Sequence, residues 1–150
     1  VKYYQNLAIL RLLGDLMAQH LTVNPRPEVL IPVPLHYKSL CKRGYNQSLE
    51  LAKRITKSTG IPLDYQACKR IKNTLPQTTL SGQQRQTNLK GAFQVLPRAE
   101  YWQHIVIIDD VMTTGTTVRE LATVFKKDGV PRVDVWCCAR RSQKDAKVSL

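Results

Sequence analysis

Residues 105–117 read IVIIDDVMTTGTT, and this stretch decides the fold that we expect for the chain. Its first four residues are all apolar and β-branched, which is typical of a strand that is covered on both faces in a parallel sheet. Two carboxylates follow, and then a short loop of threonine and glycine opens a helical pattern. Open α/β folds bind ligands at the carboxyl ends of such strands. We therefore predict a central strand with a binding site at its carboxyl end.

On either side of this stretch, strand and helix patterns alternate. Leucines at helical spacing predict an amphipathic helix over the first twenty residues, and a short apolar run predicts a strand over 29–34. Further strands are predicted within 63–71, 91–96 and 132–139. The alternation indicates one α/β domain over residues 1–150, with an open, mostly parallel sheet flanked by helices.

Two predicted helices carry clear end signals. Asn46 is placed to cap a helix that Gly60 ends, with Leu49, Ala52 and Ile55 expected on its inward face. The helix after the threonine loop is expected to be capped by Thr116 or Thr117, and to stop at Gly129. Residues 36–43 are predicted to form a basic loop, and 72–90 a long polar mobile loop of the kind that covers a binding site.

The charge of the chain is strongly positive. Its 150 residues include 23 Lys and Arg against 11 Asp and Glu, and eleven of the basic residues but two acidic ones lie between 36 and 90. Such an excess attracts polyanions, namely nucleic acid, phosphorylated metabolites or an anionic membrane face. No apolar run reaches the length of about 20 residues that spans a bilayer, so we expect no membrane insertion.

The four cysteines show no CxxC spacing, and the adjacent Cys137 and Cys138 lie in an apolar run typical of a strand. We interpret them as reduced thiols of a cytoplasmic protein. The chain begins without Met and lacks an unbroken apolar leader, which suggests a fragment whose amino terminus is missing.

The threonine loop and the acid pair have complementary chemistry. Gly115 allows close approach of the backbone, and successive amides of Thr113–Thr117 are expected to converge on a phosphate at the helix start. Asp109 and Asp110 would then hold either the vicinal hydroxyls of a sugar or a magnesium ion. An ordinary strand-to-helix turn is the alternative. The chain contains neither GxxxxGK[ST] nor GxGxxG, which disfavours a nucleoside triphosphatase or a dinucleotide enzyme.

Residues 106–117 resemble the phosphoribosyl pyrophosphate (PRPP) motif of type I phosphoribosyltransferases. More narrowly, the chain resembles the competence-associated ComF/GntX group of that superfamily. The likeness extends over residues 29–139 and rests on PVPLH at 32–36, RGYNQ at 43–47, Arg85 with Asn88, and GAF at 91–93. The group's cysteine-rich zinc segment has no counterpart here, and Thr113 stands where purine-salvage relatives carry an aspartate, which disfavours a 6-oxopurine acceptor.

The resemblance implies a role for each site residue. The acid pair would bind the ribose hydroxyls, and Mg2+ directly or through substrate or water. The threonine loop would bind the 5′-phosphate, residues 35–38 would contact the pyrophosphate, and the loop over 72–90 would close over the site. The residues implied in catalysis are Asp109, Asp110, Lys38 and Arg85. Those implied in substrate binding are Leu35, His36, Arg43, Thr113, Thr114, Gly115, Thr116 and Thr117.

Two hypotheses for function follow. The first is an enzyme that binds PRPP and Mg2+ and transfers or hydrolyses the phosphoribosyl group, with an unknown acceptor, in a competence or DNA-utilisation context. The second is a non-catalytic module that reuses this fold to bind single-stranded DNA during uptake through the basic region. For Lys38, Arg43 and Arg85 the alternative is a solvated basic surface, and His36 and His104 are expected to be structural.

Overall fold

The computed structural model describes residues 2–73, 81–98 and 100–140. The helices and strands of this part follow in the order α1 (Lys2–His20), β1 (Val29–Pro32), α2 (Tyr37–Arg43), α3 (Gln47–Thr59), β2 (Cys68–Arg70), α4 (Gly82–Leu89), β3 (Phe93–Val95), β4 (His104–Met112), α5 (Thr116–Lys127) and β5 (Arg132–Arg140). None of these helices combines the length and the apolar character that crossing a bilayer requires.

The main sheet is parallel and has the strand order β1-β4-β5, so β4 is central, as its apolar run predicts. In the register, Ile107 lies between Ile31 of β1 and Val135 of β5. A parallel bridge between Leu30 and Leu63 continues the sheet beyond β1. Strands β2 and β3 pair antiparallel in a separate two-stranded sheet. The open, mostly parallel α/β architecture that the sequence predicts is confirmed.

Both faces of β4 are buried. On one face Ile105 and Ile107 pack with Leu121 and Phe125 of α5. On the other face the fully buried Val106 and Ile108 pack with apolar residues of α3. Burial on both sides explains why the strand reads as one continuous apolar run rather than as an alternating pattern.

Helix α1 lies against α3, which places it outside the sheet. A Cβ atom built on Gly14 would lie 2.7 Å from Cβ of Arg54, so the glycine allows the two helices to approach closely. Asp15 accepts two hydrogen bonds from the guanidinium of Arg54, at 2.7 and 2.9 Å. The helix predicted over the first twenty residues is therefore confirmed, but it is not cleanly amphipathic, because Ile9, Leu12 and Leu16 are exposed.

The inward face of α3 differs from the prediction. Asn46 caps the helix and Gly60, with φ 70°, follows its end, as expected. The buried positions, however, are Ser48, Leu51, Ala52 and Ile55, whereas Leu49 is half-buried. The residues that we expected inward were thus wrong at Leu49, because the helix is rotated so that the face beginning at 48 meets the sheet.

Three predicted loops contain helices or differ at their ends. Residues 37–43 form α2, which begins after His36 and ends at Gly44, where φ is 81°. Helix α4 occupies the second half of the predicted loop over 72–90, and residues 74–80 lie outside the described part. Gly115 rather than a threonine is the N-cap of α5, because the hydroxyls of Thr114 and Thr116 bond to each other at 2.8 Å.

Candidate functional site

The acid pair lies near the carboxyl end of the central strand. Strand β4 runs through both aspartates to Met112, so they belong to the strand rather than to the loop after it. Asp109 is buried, with 8% of its surface exposed, and Asp110 is half-buried. The amide of Val33 donates to the carbonyl of Ile108 at 2.9 Å. This bond brings the segment after β1 to the same edge of the sheet, directly beside the acid pair.

Burial and charge raise the pKa of Asp109 to about 7. Desolvation is the largest cause, and the neighbouring negative charge of Asp110 is the next. Hydrogen bonds from the amide of Asp110 at 3.0 Å and from Ser48 Oγ at 3.5 Å act in the opposite direction. Near neutral pH the pair therefore carries fewer than two negative charges, which reduces its repulsion of a nearby phosphate.

Ser48 is a site residue that the sequence reasoning missed. It lies at the start of α3, and Asn46 Oδ1 accepts hydrogen bonds from the amides of Ser48 and Leu49 at 3.0 and 3.4 Å. The amide group of Asn46 also donates to the carbonyl of Val33 at 2.9 Å. The segment after β1, the start of α3 and Asp109 are thus joined by hydrogen bonds. A polar residue on an inward helical face is the signal that would have found Ser48.

The threonine loop connects β4 directly to α5. The amide nitrogens of Thr113, Thr114 and Gly115 have no acceptor within the described part of the chain. The amide of Thr116 lies 3.4 Å from Thr114 Oγ1. Gly115 has φ 75°, a left-handed conformation that L side chains rarely adopt. The loop therefore offers three backbone donors at a helix start, as an anion site requires.

Arg119 adds a positive charge to this loop, and sequence reasoning did not single it out. Its Nη2 atom lies 3.4 Å from the carbonyl oxygen of Thr114 and 3.7 Å from where a Cβ of Gly115 would stand. It follows Gly115 by four residues, one helical turn into α5, which is the signal that would have found it. Thr116 and Arg119 also line a cavity of about 560 Å³ that reaches Lys90 and Gly91 at the end of α4.

The predicted pyrophosphate contacts lie on and before α2. Leu35 and His36 are half-buried, and His36 Nδ1 accepts from the amide of Lys38 at 3.3 Å. The side chain of Lys38 is exposed, and so is Arg43, whose Nη1 lies 3.5 Å from Gln47 Oε1. In the described part of the chain neither cation forms an ion pair with a carboxylate. The structure thus places this segment at the same sheet edge as the acid pair.

One predicted site residue cannot be placed, and His104, which is expected to be structural, lies away from the site. Arg85 lies in α4, but its side chain is outside the described part. His104 starts β4 at the opposite edge of the sheet, where its Nε2 lies 2.8 Å from Asp134 Oδ2.

The donor set of the acid pair fits magnesium only in part. Carboxylate oxygens are suitable ligands for Mg2+, but residues 2–73, 81–98 and 100–140 hold no group of three or more His, Cys, Asp or Glu side chains that could cage an ion. Asp110 Oδ1 accepts the amide of Val111 at 2.8 Å, and the carboxyl group of Asp110 also interacts with that of Asp109. The site therefore fits an ion that shares its coordination with substrate oxygens and water.

The chain is similar to proteins named for competence and for DNA utilization. No established family profile matches it. It is 38% identical to Competence protein F of Haemophilus influenzae over 116 residues, which cover 76% of this chain and 51% of that protein. It is 40% identical to DNA utilization protein YhgH of Salmonella typhi over 134 residues, which cover 89% of this chain and 59% of that protein. The chain thus spans between half and three-fifths of these relatives, and the resemblance to the competence-associated group is confirmed.

Solved structures with the same fold are phosphoribosyltransferases and related enzymes. The allosteric regulatory enzyme of purine biosynthesis superposes with a TM-score of 0.58 at 22% identity, over 86% of this chain and 25% of that one. The purine phosphoribosyltransferase of Pyrococcus horikoshii superposes with a TM-score of 0.52 at 21% identity, over 87% and 72%. These similarities show the fold of type I phosphoribosyltransferases.

Proposed function

We propose that this chain binds PRPP together with Mg2+ at the carboxyl end of β4 and transfers the phosphoribosyl group to an acceptor or to water. The observation that carries the proposal is the joint position of three acceptor-less amides, a guanidinium and a carboxylate pair at one sheet edge. The names of its relatives, Competence protein F and DNA utilization protein YhgH, support a DNA-utilisation context.

The 5′-phosphate fits the threonine loop. Hydrogen bonds to a charged group contribute about 1.5–3 kcal/mol each, whereas a helix dipole contributes about 0.3–1 kcal/mol. Hydrogen bonds from three amides would therefore contribute more binding free energy than the dipole of α5, and Arg119 adds a positive charge from the first turn. This difference in magnitude makes the loop, rather than the helix as a whole, the group that selects a phosphate.

The ribose hydroxyls fit the acid pair. An ionised carboxylate only accepts hydrogen bonds, and the 2′ and 3′ hydroxyls of ribose supply two donors. Asp110, the more exposed of the two, is proposed to accept these hydroxyls, while Asp109 is hydrogen-bonded to Ser48. Magnesium bound with PRPP would neutralise part of the pyrophosphate charge, with Asp110 as the residue that would hold it.

Breaking the bond between C1 and pyrophosphate develops positive charge on the ribose ring and negative charge on the leaving oxygens. Positioning and electrostatic stabilisation are therefore the main tasks of the protein. Lys38 at the start of α2 is the side chain proposed to stabilise the leaving pyrophosphate. The segment over 72–90, with Arg85, is proposed to exclude water from the reacting carbon.

Calorimetric titration of PRPP with Mg2+ tests the proposal. Wild type should bind, and Asp110→Asn should bind at least about tenfold more weakly, because one charged acceptor is lost. Glu100→Gln is the matched control, since Glu100 is exposed and precedes the amino end of β4. Equal affinities of wild type and Asp110→Asn would overturn the proposed site.

A second candidate function is binding of single-stranded DNA without catalysis. The observation that favours it is the exposure of Lys38, Lys42 and Arg43 along α2. The affinity for a single strand should fall with the logarithm of salt concentration by about 0.7 per phosphate contact, so roughly five contacts give a slope near −3.5. An affinity for oligonucleotides that does not change with salt concentration would overturn this candidate. Binding of PRPP would neither support nor contradict it.

A further inference from the structure

A second cavity adjoins the proposed PRPP site and shares part of the segment after β1 with it, because Leu35 and Tyr37 line the cavity. It has a volume of about 590 Å³ and is enclosed by α2, the start of α3 and strand β2. Pockets of roughly 300–1,000 Å³ hold small organic ligands. Neither aspartate of the acid pair and no residue of the threonine loop belongs to its walls. The cavity can therefore bind a ligand of its own.

Three of the six tyrosines of the chain line this cavity, although aromatic residues are sparse in the chain. Tyr37 and Tyr65 are 74% and 57% exposed, and Tyr45 is half-buried. Aromatic rings bury large areas and stack on flat partners in offset or edge-to-face geometry. Rings left open to solvent around a cavity indicate a planar aromatic ligand.

Cations lie on the same walls. Strand β2 contributes Lys69 and Arg70, and burial followed by the nearby charge of Arg43 lowers the pKa of Arg70. The acidic residue of the wall, Glu50, forms an ion pair with Lys53 at 2.8 Å. Guanidinium groups that lie close together are stabilised by an anion between them. The electrostatics therefore favour an anionic group next to the stacked ring.

We propose that this cavity binds a planar aromatic ring that carries an anionic group, with the ring against the tyrosines and the anion beside Lys69 and Arg70. A nucleotide unit combines both parts. It reaches the cavity either as a free mononucleotide or within a single strand, and the chemistry of recognition is the same. The inference does not depend on PRPP binding, because neither the acid pair nor the threonine loop lines the cavity, although the cavity borders the proposed pyrophosphate segment at Leu35 and Tyr37.

The probe that tests this cavity is deoxyadenosine 3′-monophosphate. It has neither the 5′-phosphate nor the 2′-hydroxyl that the proposed PRPP site recognises, so its binding reports on the cavity. Calorimetry with the full chain should show binding of this nucleotide, and binding at least about fivefold weaker for deoxyadenosine, which lacks the anion. Absence of heat from the nucleotide, in protein that gives heat with PRPP, would overturn the inference and leave the proposed function intact.

Two exposed positions map the binding. Tyr65→Ala should weaken the nucleotide about 5- to 100-fold, the range that loss of one stacked base covers. Lys69→Gln should weaken it less. Tyr101→Ala and Lys57→Gln are the matched controls, because Tyr101 is 84% exposed and Lys57 is exposed on α3, and neither lines the cavity. Wild-type affinity in both cavity variants would overturn the inference, even if the nucleotide binds elsewhere.

Asp110→Asn separates the two sites. It should leave nucleotide affinity unchanged, and a loss there would place the nucleotide in the PRPP site and overturn the inference. A short oligodeoxyadenylate identifies the source of the ligand. If the chain binds the oligonucleotide more tightly than the mononucleotide, and Tyr65→Ala weakens that binding, the ligand is a nucleotide unit within a strand. Tighter binding of the mononucleotide supports a free nucleotide. If PRPP gives no heat while the nucleotide binds and Tyr65→Ala weakens it, the proposed function fails and the cavity stands.

Discussion

Ser48 Oγ lies 3.5 Å from Asp109 Oδ1, although the two residues are 61 positions apart in the chain. Ser48 is itself positioned by Asn46, which also bonds to the carbonyl of Val33. The acid pair is therefore connected to the segment after β1 through the first turn of α3. This connection makes the ionisation of Asp109 sensitive to a residue that touches neither a phosphate nor a ribose in the proposed complex.

Replacing Ser48 by alanine should raise the pKa of Asp109 further, because the hydroxyl hydrogen bond favours the ionised form. A long hydrogen bond of this kind contributes at most about 1 kcal/mol, so the rise should be less than about one pH unit. The carboxyl carbon shift of Asp109 in an NMR titration measures it. Ser58→Ala, at an exposed position of α3, is the control. An unchanged titration of Asp109 in Ser48→Ala would show that the hydroxyl does not act on the carboxylate.

The Asp109 carboxyl should make the fold less stable as the pH rises. Its pKa is about 7 in the folded chain against 3.8 for the unfolded residue, so between these values the folded state binds more protons. The free energy of unfolding must then fall from about pH 4 to pH 7 and level off above it. Asp109→Asn removes this dependence.

The variant should match wild type near pH 4 and exceed it at pH 8, by about 4 kcal/mol in the free energy of unfolding. Urea denaturation across this range measures the difference. The same variant should bind PRPP more weakly, because it lacks the Asp109 carboxylate. The wild type would then retain this carboxylate for binding although it lowers the stability of the fold. A difference between the two proteins that does not vary with pH would contradict the shifted pKa of Asp109.

Gly115→Ala should destabilise the chain by roughly 1–2 kcal/mol, because a Cβ at φ 75° is strained. Gly129→Ala provides a matched control, since Gly129 has φ 97° and lies at the other end of α5 with open space around its Cβ position. Thermal unfolding should detect both losses. Only Gly115→Ala should also weaken PRPP, as measured by calorimetry. If the two substitutions change PRPP affinity equally, the threonine loop does not bind the phosphate.

The sequence predicts the central strand and its neighbours because their signals are local. The apolar run at 105–108 and the Asn46 and Gly60 ends of α3 need no tertiary information. The face of α3 could not be placed with the same certainty, since Leu49 and Leu51 are both leucines and only docking against the sheet decides which is buried. The residues of helix α4 are too polar on average to show an apolar face in the sequence. This helix is stabilised by its packing beside α5 rather than by its own pattern.

For the candidate site, the sequence places the acid pair and the loop together because they are contiguous. It does not predict Ser48, because that contact depends on how α3 crosses the sheet edge, nor the N-cap of α5. Four threonines and one glycine of the loop are all candidates for the N-cap. In the structure Thr114 and Thr116 bond to each other, and Gly115 is the N-cap residue. Contacts between distant segments are thus what the sequence pattern lacks.

Arg119→Gln should weaken PRPP binding without loss of stability. The guanidinium is exposed, and its contact with the carbonyl of Thr114 at 3.4 Å is long, so little folding energy depends on it. A positive charge near a bound phosphate should still contribute about 1 kcal/mol, or roughly fivefold in affinity. The salt dependence of PRPP binding should decrease in parallel, because one attractive charge is removed. Lys126→Gln, in the last turn of α5, removes a positive charge outside the cavity that Arg119 lines and should leave PRPP affinity at its wild-type value. If both variants bind PRPP equally, the positive field of the whole chain, and not Arg119 at the loop, attracts the ligand.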